Sequence, residues 1–178
     1  MNGFGVSPLE LMASDAMLQG LVYLDEFVYS ASWIPGTASF LSSLGTVEQQ
    51  IQINADSDFV VQEMNLAAFT QPDDEDLHTC IDCPNLLLTI IRAGSGREVM
   101  NSAQHVINVA GNYWSAQHPG RKPMAGLIQA NNTLTLRLQN LEPVDSGRID
   151  IALLGFKVFY VQSPDGRIGD RRQVFHAL

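Results

Sequence analysis

The segment His78-Thr79-Cys80-Ile81-Asp82-Cys83 holds the residue types closest to chemistry. A C-x-x-C pair can ligate zinc or cycle between dithiol and disulfide, and His78 adds a third donor. A structural zinc site needs four ligands, and the chain has no second C-x-x-C. His105 or His118 would close the site only if folding carried one of them there. A redox motif should open a helix after a strand. Here Pro84 follows the pair, and Asp73, Asp74, Glu75 and Asp76 precede it. Neighbouring negative charge disfavours a thiolate. The expectation is plain loop cysteines, with no metal and no cofactor. The acidic run at 73–76 lacks the spaced D-x-D-x-D-G pattern and distal Glu of a calcium loop. It reads as a solvated loop tip, or as a contact for a basic patch on a partner.

The other candidates are weaker. The histidines (His78, His105, His118 and His176) sit in no H-E-x-x-H helix and beside no G-x-S-x-G elbow. Gly94-Ser95-Gly96 is explained by a β-turn. Glu142 and Asp145 flank a turn without the pairing that acid–base work needs. Asn131-Asn132-Thr133 fits a glycosylation sequon, which matters only in a secreted chain. Tyr113 and Trp114 share a loop with Asn112, Gln117 and His118, and such a set can cradle a sugar ring. The simpler reading is that these two rings cap the end of a core. No catalytic residue emerges, and an enzyme is not expected.

The elements that would position these residues are mostly strands. Leu134, Leu136 and Leu138 alternate with Thr133, Thr135, Arg137 and Gln139. Ile149, Ile151 and Leu153 alternate with Arg148, Asp150 and Ala152 after a short polar turn. A period of two marks strands with one buried face. Further strands are expected over 47–53, 59–69 (with a bulge), 86–93, 99–102, 106–109 and 124–129. Loops are expected over 71–84 and 111–123. Several short strands between turns, without βαβ alternation, point to a sandwich or barrel.

The ends differ from this middle. Ser7-Pro8-Leu9-Glu10 combines a capping Ser, Pro at the first helical position and Glu three residues after the cap. Leu9, Met12, Ala13, Ala16 and Met17 follow at helical spacing, so a short amphipathic helix should end near Gly20. That helix packs either on its own domain or on a neighbouring subunit. Leu11, Met12, Met17 and Leu18 suit either surface. Residues 21–46 read as an extended segment anchored by Phe27, Tyr29, Trp33 and Phe40. The polar stretch 163–172 gives way to Val174, Phe175 and Leu178, a tail that ends loose or hooks onto a neighbour. The expected organisation is a helix and arm over 1–46, a sandwich over 47–161 and a tail over 162–178.

Composition narrows the partners. The chain has 178 residues, enough to bury a core without staples. Charged residues are 16%, below the usual share of roughly 25%, which points to surface covered by partners. A net charge of −9 argues against nucleic acid and anionic membranes. No basic n-region opens the chain and no apolar run approaches a bilayer span, so synthesis in the cytoplasm is expected.

The order of parts over 47–161 resembles a known family. An early strand carries Asp58-Phe59-Val60-Val61, and Leu86-Leu87-Leu88-Thr89-Ile90 leads to a turn at Gly94. Arg121-Lys122-Pro123 precedes a strand, and Asn132-Thr133-Leu134-Thr135-Leu136 precedes Asn140-Leu141. Arg148-Ile149-Asp150-Ile151-Ala152-Leu153-Leu154-Gly155-Phe156-Lys157 closes the set. The pattern is similar to small β-sandwich structural proteins of tailed bacteriophages, the head decoration or cement proteins and related minor virion components. It covers about two-thirds of the chain and contains no catalytic signature. The resemblance implies a single antiparallel, jelly-roll-like β-sandwich; the short N-terminal helix and the extended termini, read from the residues themselves, lie outside the pattern. It implies a non-enzymatic protein on the virion surface, made in the host cytoplasm. Its partners would be the major capsid protein and copies of itself, as a dimer or trimer. On that reading Leu9, Met12 and Met17 on the arm, with Phe175 and Leu178 on the tail, are the candidate partner contacts. Tyr113 and Trp114 remain the candidate ligand contacts of a rival, carbohydrate-binding module. A neck, collar, tail or baseplate protein is the other alternative.

Overall fold

A computed structural model describes residues 7–69, 84–92, 102–112, 126–161 and 174–175. The elements in chain order are α1 (Pro8–Leu18), β1 (Val22–Trp33), β2 (Thr46–Gln52), β3 (Asp58–Ala68), β4 (Leu86–Arg92), β5 (Gln104–His105), α2 (Val106–Val109), β6 (Gly111–Asn112), β7 (Gly126–Ile128), β8 (Thr133–Asn140) and β9 (Ile149–Tyr160). The fold is mainly β, as the alternation predicts. One sheet has the order β1-β9-β3, with β6 and β7 on the far side of β3. The other has the order β2-β8-β4-β5. All pairings are antiparallel except the two-residue contact of β6 with β3.

The two sheets pack face to face. Leu134, Leu136 and Leu138 of β8 meet Ile149, Ile151 and Leu153 of β9 in one apolar core with Trp33, Phe59 and Met64. The alternating runs therefore point into the same core from opposite sheets. Their polar connection, 141–148, crosses from one sheet to the other instead of closing a hairpin between them.

Two expectations change. Residues 22–33 are not loose arm: β1 pairs with β9 along all 12 of its residues, so the sandwich begins at Val22 instead of 47. Binary alternation misses β1 because both of its faces carry apolar residues. Tyr29, Ala31 and Trp33 enter the core, while Val22 and Leu24 face the opposite side, under α1. Residues 106–109 form one helical turn instead of a strand. There Val106 and Val109 are buried together, and packing overrides β-branched propensity. The expected bulge is present: the register of β3 against β9 shifts between Val61 and Glu63.

Gly155 of β9 faces this bulge. A Cβ there would run into the Val60 carbonyl oxygen, so no larger residue fits without moving backbone. Of the expected strand 99–102, residues 99–101 lie outside the described residues and Ser102 is an exposed bend; most of each expected loop also lies outside them.

Candidate functional site

Helix α1 packs on the outer face of the β1-β9-β3 sheet, over Val22, Val60, Phe156 and Val158. Ser7 accepts a hydrogen bond from the Glu10 backbone N–H, and Glu10 accepts from the Ser7 N–H, which closes the capping box. The second Glu10 oxygen accepts from Gln62 Nε2 at 2.6 Å, so the helix start is tied to the bulge of β3. Leu9, Ala13 and Ala16 pack on Val22, Val60, Phe156 and Val158, and Val174 and Phe175 join the same cluster. Of the two dockings open to this helix, the structure has it on its own domain.

That placement sorts the predicted contact residues. Leu9 is 5% exposed and Phe175 2%, so the chain itself covers both; as candidate partner contacts they are corrected. Apolar side chains that close the chain's own cluster are not free for a second surface. Met12 is partly buried against the cluster, and Met17 is exposed. Leu11 and Leu18 are exposed as well, Leu18 at 83%. Leu178, Tyr113, Trp114, the His78–Cys80–Cys83 set and the acidic run at 73–76 lie outside the described residues. Among the described residues no three His, Cys, Asp or Glu side chains gather to hold a metal. No described helix is long and apolar enough to cross a membrane.

A second apolar group sits at the opposite end of the sandwich. β1 runs away from α1 to Trp33, and the loops beyond its far end, 41–45 and 141–146, lie against each other. Asn140 is buried and holds them: its Nδ2 donates to the carbonyls of Ser42 (3.2 Å) and Val144 (2.8 Å), and its Oδ1 accepts from the Glu142 N–H (2.9 Å). Asp145 accepts from the Ser43 N–H at 2.8 Å, and Glu142 from Asn85 Nδ2 at 2.8 Å. The two turn carboxylates thus serve as loop braces. Ser146 donates through its N–H and its hydroxyl to the carbonyl of Leu41, which is fully buried. The braced tip presents Leu44, Leu141 and Val144 to solvent. Leu44 is 64% exposed at φ +52°, a left-handed conformation that costs a non-glycine residue energy. Sequence reasoning passed over the tip. The available signal was apolar residues inside turn-forming contexts, Leu44-Gly45 and Leu141-Glu142-Pro143-Val144.

Beside α1 the outer sheet face holds a cleft of about 510 Å³. Glu26 and Val28 of β1, Leu154 and Gly155 of β9, and Gln62 and Glu63 at the bulge line it. Toward the end of β9, Asp58 is buried and accepts from the Ala130 N–H (2.7 Å) and the Tyr160 hydroxyl (2.6 Å). Lys157 is buried with its Nζ 3.8 Å from the Phe27 ring centroid, a cation–π contact. These polar groups brace strand ends. Neither a scan against protein-family models nor a search of curated proteins returns a match.

Proposed function

We propose that this chain is a bacteriophage virion structural protein, a decoration or cement protein that binds the outside of the capsid shell and stabilises it. One observation carries the reading: the sandwich holds an apolar group at each end. Met17 and Leu18, at the end of α1 that leads into β1, stand at one end, with Leu11 exposed on the same helix, and Leu44, Leu141 and Val144 of the braced tip stand at the other. Between them run 12-residue strands, about 40 Å at roughly 3.3 Å per residue. A rigid rod with a sticky patch at each end suits a bridge between neighbouring capsomers. Pre-organisation keeps the ordering cost of each contact low, and many weak contacts add through multivalency. The similarity of residues 47–161 to phage cement proteins supports the same role.

The test is scanning calorimetry of shells assembled with and without this protein. The expected outcome is a higher melting temperature for decorated shells; an unchanged one removes the reading. Copy number separates the shell from the tail axis. Hundreds per particle are expected, and a dozen or fewer would make the chain a neck, collar, tail or baseplate component instead.

A further inference from the structure

We propose that two copies of this chain join edge to edge through β1, antiparallel about a two-fold axis at Val28. The inference goes beyond shell binding and rests on the chain alone. β1 is the open edge of its sheet: β9 lies on one side, and no other strand pairs with it among the described residues. The Val161 N–H donates to the Leu21 carbonyl at 3.0 Å, in register with the β1–β9 ladder. Antiparallel ladders alternate, so odd-numbered residues of β1 bond to β9. The N–H and C=O groups of Val22, Leu24, Glu26, Val28, Ser30 and Ser32 point away from β9. α1 covers the first two side chains, while Glu26, Val28 and Ser30 are exposed and no described strand lies beside them on that side.

Unpaired edges of this kind template further pairing unless something blunts them. β1 carries only two charges, Asp25 and Glu26, both in its first half, and lacks the other devices. Residues 22–33 contain no Lys, Arg or Pro, and the register with β9 runs without a bulge. Val28, near the strand centre, is 53% exposed. β2, the edge of the other sheet on the same side, has 7 residues against 12, and Glu48, Gln50 and Gln52 occupy its outward positions.

The pattern of β1 favours its own copy as occupant. Outward backbone groups meet only when even residues face even residues. A register centred on Val28 satisfies this and pairs nearly the whole strand. It sets Val28, 53% exposed, opposite the second copy's Val28 on the outer face, so the two apolar side chains cover each other at the axis. Cross-strand apolar pairs of this sort stabilise sheets. Glu26 then faces Ser30, and Asp25 faces Ala31, so the strand's carboxylates stay apart. Centring on Glu26 would oppose two carboxylates. Centring on Phe27 would set Glu26 against Val28 and Asp25 against Tyr29.

Sedimentation of the full chain tests this. The expected result is a dimer that Val28→Pro converts to monomer, halving the mass. Proline at 28 removes an outward N–H and leaves the β9 ladder intact. Should Val28→Pro fail to fold, Val28→Lys serves, since it puts two like charges at the axis. Register is read by Val28→Cys in a Cys80→Ser, Cys83→Ser background treated with oxidised glutathione. Residues facing each other across a hydrogen-bonded pair have Cα atoms roughly 5.5 Å apart, within disulfide range. An intermolecular cross-link at 28, and none for Ser30→Cys, is expected. A wild-type monomer, a trimer, a dimer indifferent to both Val28 variants, or a cross-link at 30 instead would each overturn the proposal.

Discussion

Leu44 carries two costs at once: a leucine side chain left in water and a backbone held at φ +52°. Strain of this kind persists where surrounding structure over-determines it, and it gathers at functional positions. The braces from Asn140, Asp145 and Ser146 supply that structure. Leu44→Gly separates the two roles. Glycine accepts the left-handed backbone, while its freer unfolded chain offsets the relief, so urea unfolding should move by about 1 kcal/mol or less. The apolar contact is lost outright. Burying a leucine is worth about 1.5–3 kcal/mol, so shell affinity measured by co-sedimentation should fall roughly tenfold to a hundredfold. Undiminished affinity would take the tip out of the interface. Gly155 is the opposite case, a residue fixed by sterics alone, because the Val60 carbonyl fills the space of a side chain. Both requirements were invisible in sequence. Neither a carbonyl from another strand nor a loop brace contributed by residues about a hundred positions away leaves a local trace.

At the scale of elements, α1 has an inner and an outer face with separate tasks. Leu9, Ala13 and Ala16 close the apolar cluster over β1, β3 and β9, so removing the helix would bare Val22, Val60, Phe156 and Val158. Leu9→Ala should cost about 2–5 kcal/mol in chemical unfolding, as large-to-small changes in a core do. Leu18→Ser, on the outer face, should change stability by about 0.5 kcal/mol or less and should weaken shell binding. If Leu18→Ser destabilised as much as Leu9→Ala, the two-faced reading of α1 would be wrong. The existence of this helix was legible from Ser7, Pro8 and Glu10, because caps are local chemistry. Its partner was not, since helical spacing says which face is apolar and not what covers it. β8, β9 and the bulged β3 were legible because one face of each is cleanly buried. β1 was hidden because α1 makes both of its faces apolar near Val22 and Leu24, and Asp25 and Glu26 break the pattern between them. The connection 141–148 reads locally as a hairpin turn. Only the strand order reveals that it joins two sheets.

For the whole molecule, shell bridging and β1 pairing make a joint demand on geometry. Antiparallel pairing through β1 reverses one copy against the other, so each end of the dimer carries the α1 group of one copy beside the braced tip of its partner. A bridge then has both apolar surfaces at both ends, and losing one surface leaves a weakened contact at each end instead of a one-ended protein. Leu11→Ser with Leu18→Ser disables the α1 group, and Leu44→Ser with Val144→Ser disables the tip. Exposed positions of this kind tolerate such changes, so unfolding of the free protein should shift by about 1 kcal/mol or less. In the dimer, either set alone should lower shell occupancy in part and reduce the gain in shell melting temperature, and the combined set should abolish both. In a monomeric bridge the outcome differs. Either set alone would leave the protein bound at one end and would abolish the gain in melting temperature completely, because a one-ended protein joins nothing. Calorimetry of shells carrying each set, read beside the bound copy number, therefore distinguishes a two-fold bridge from a single rod.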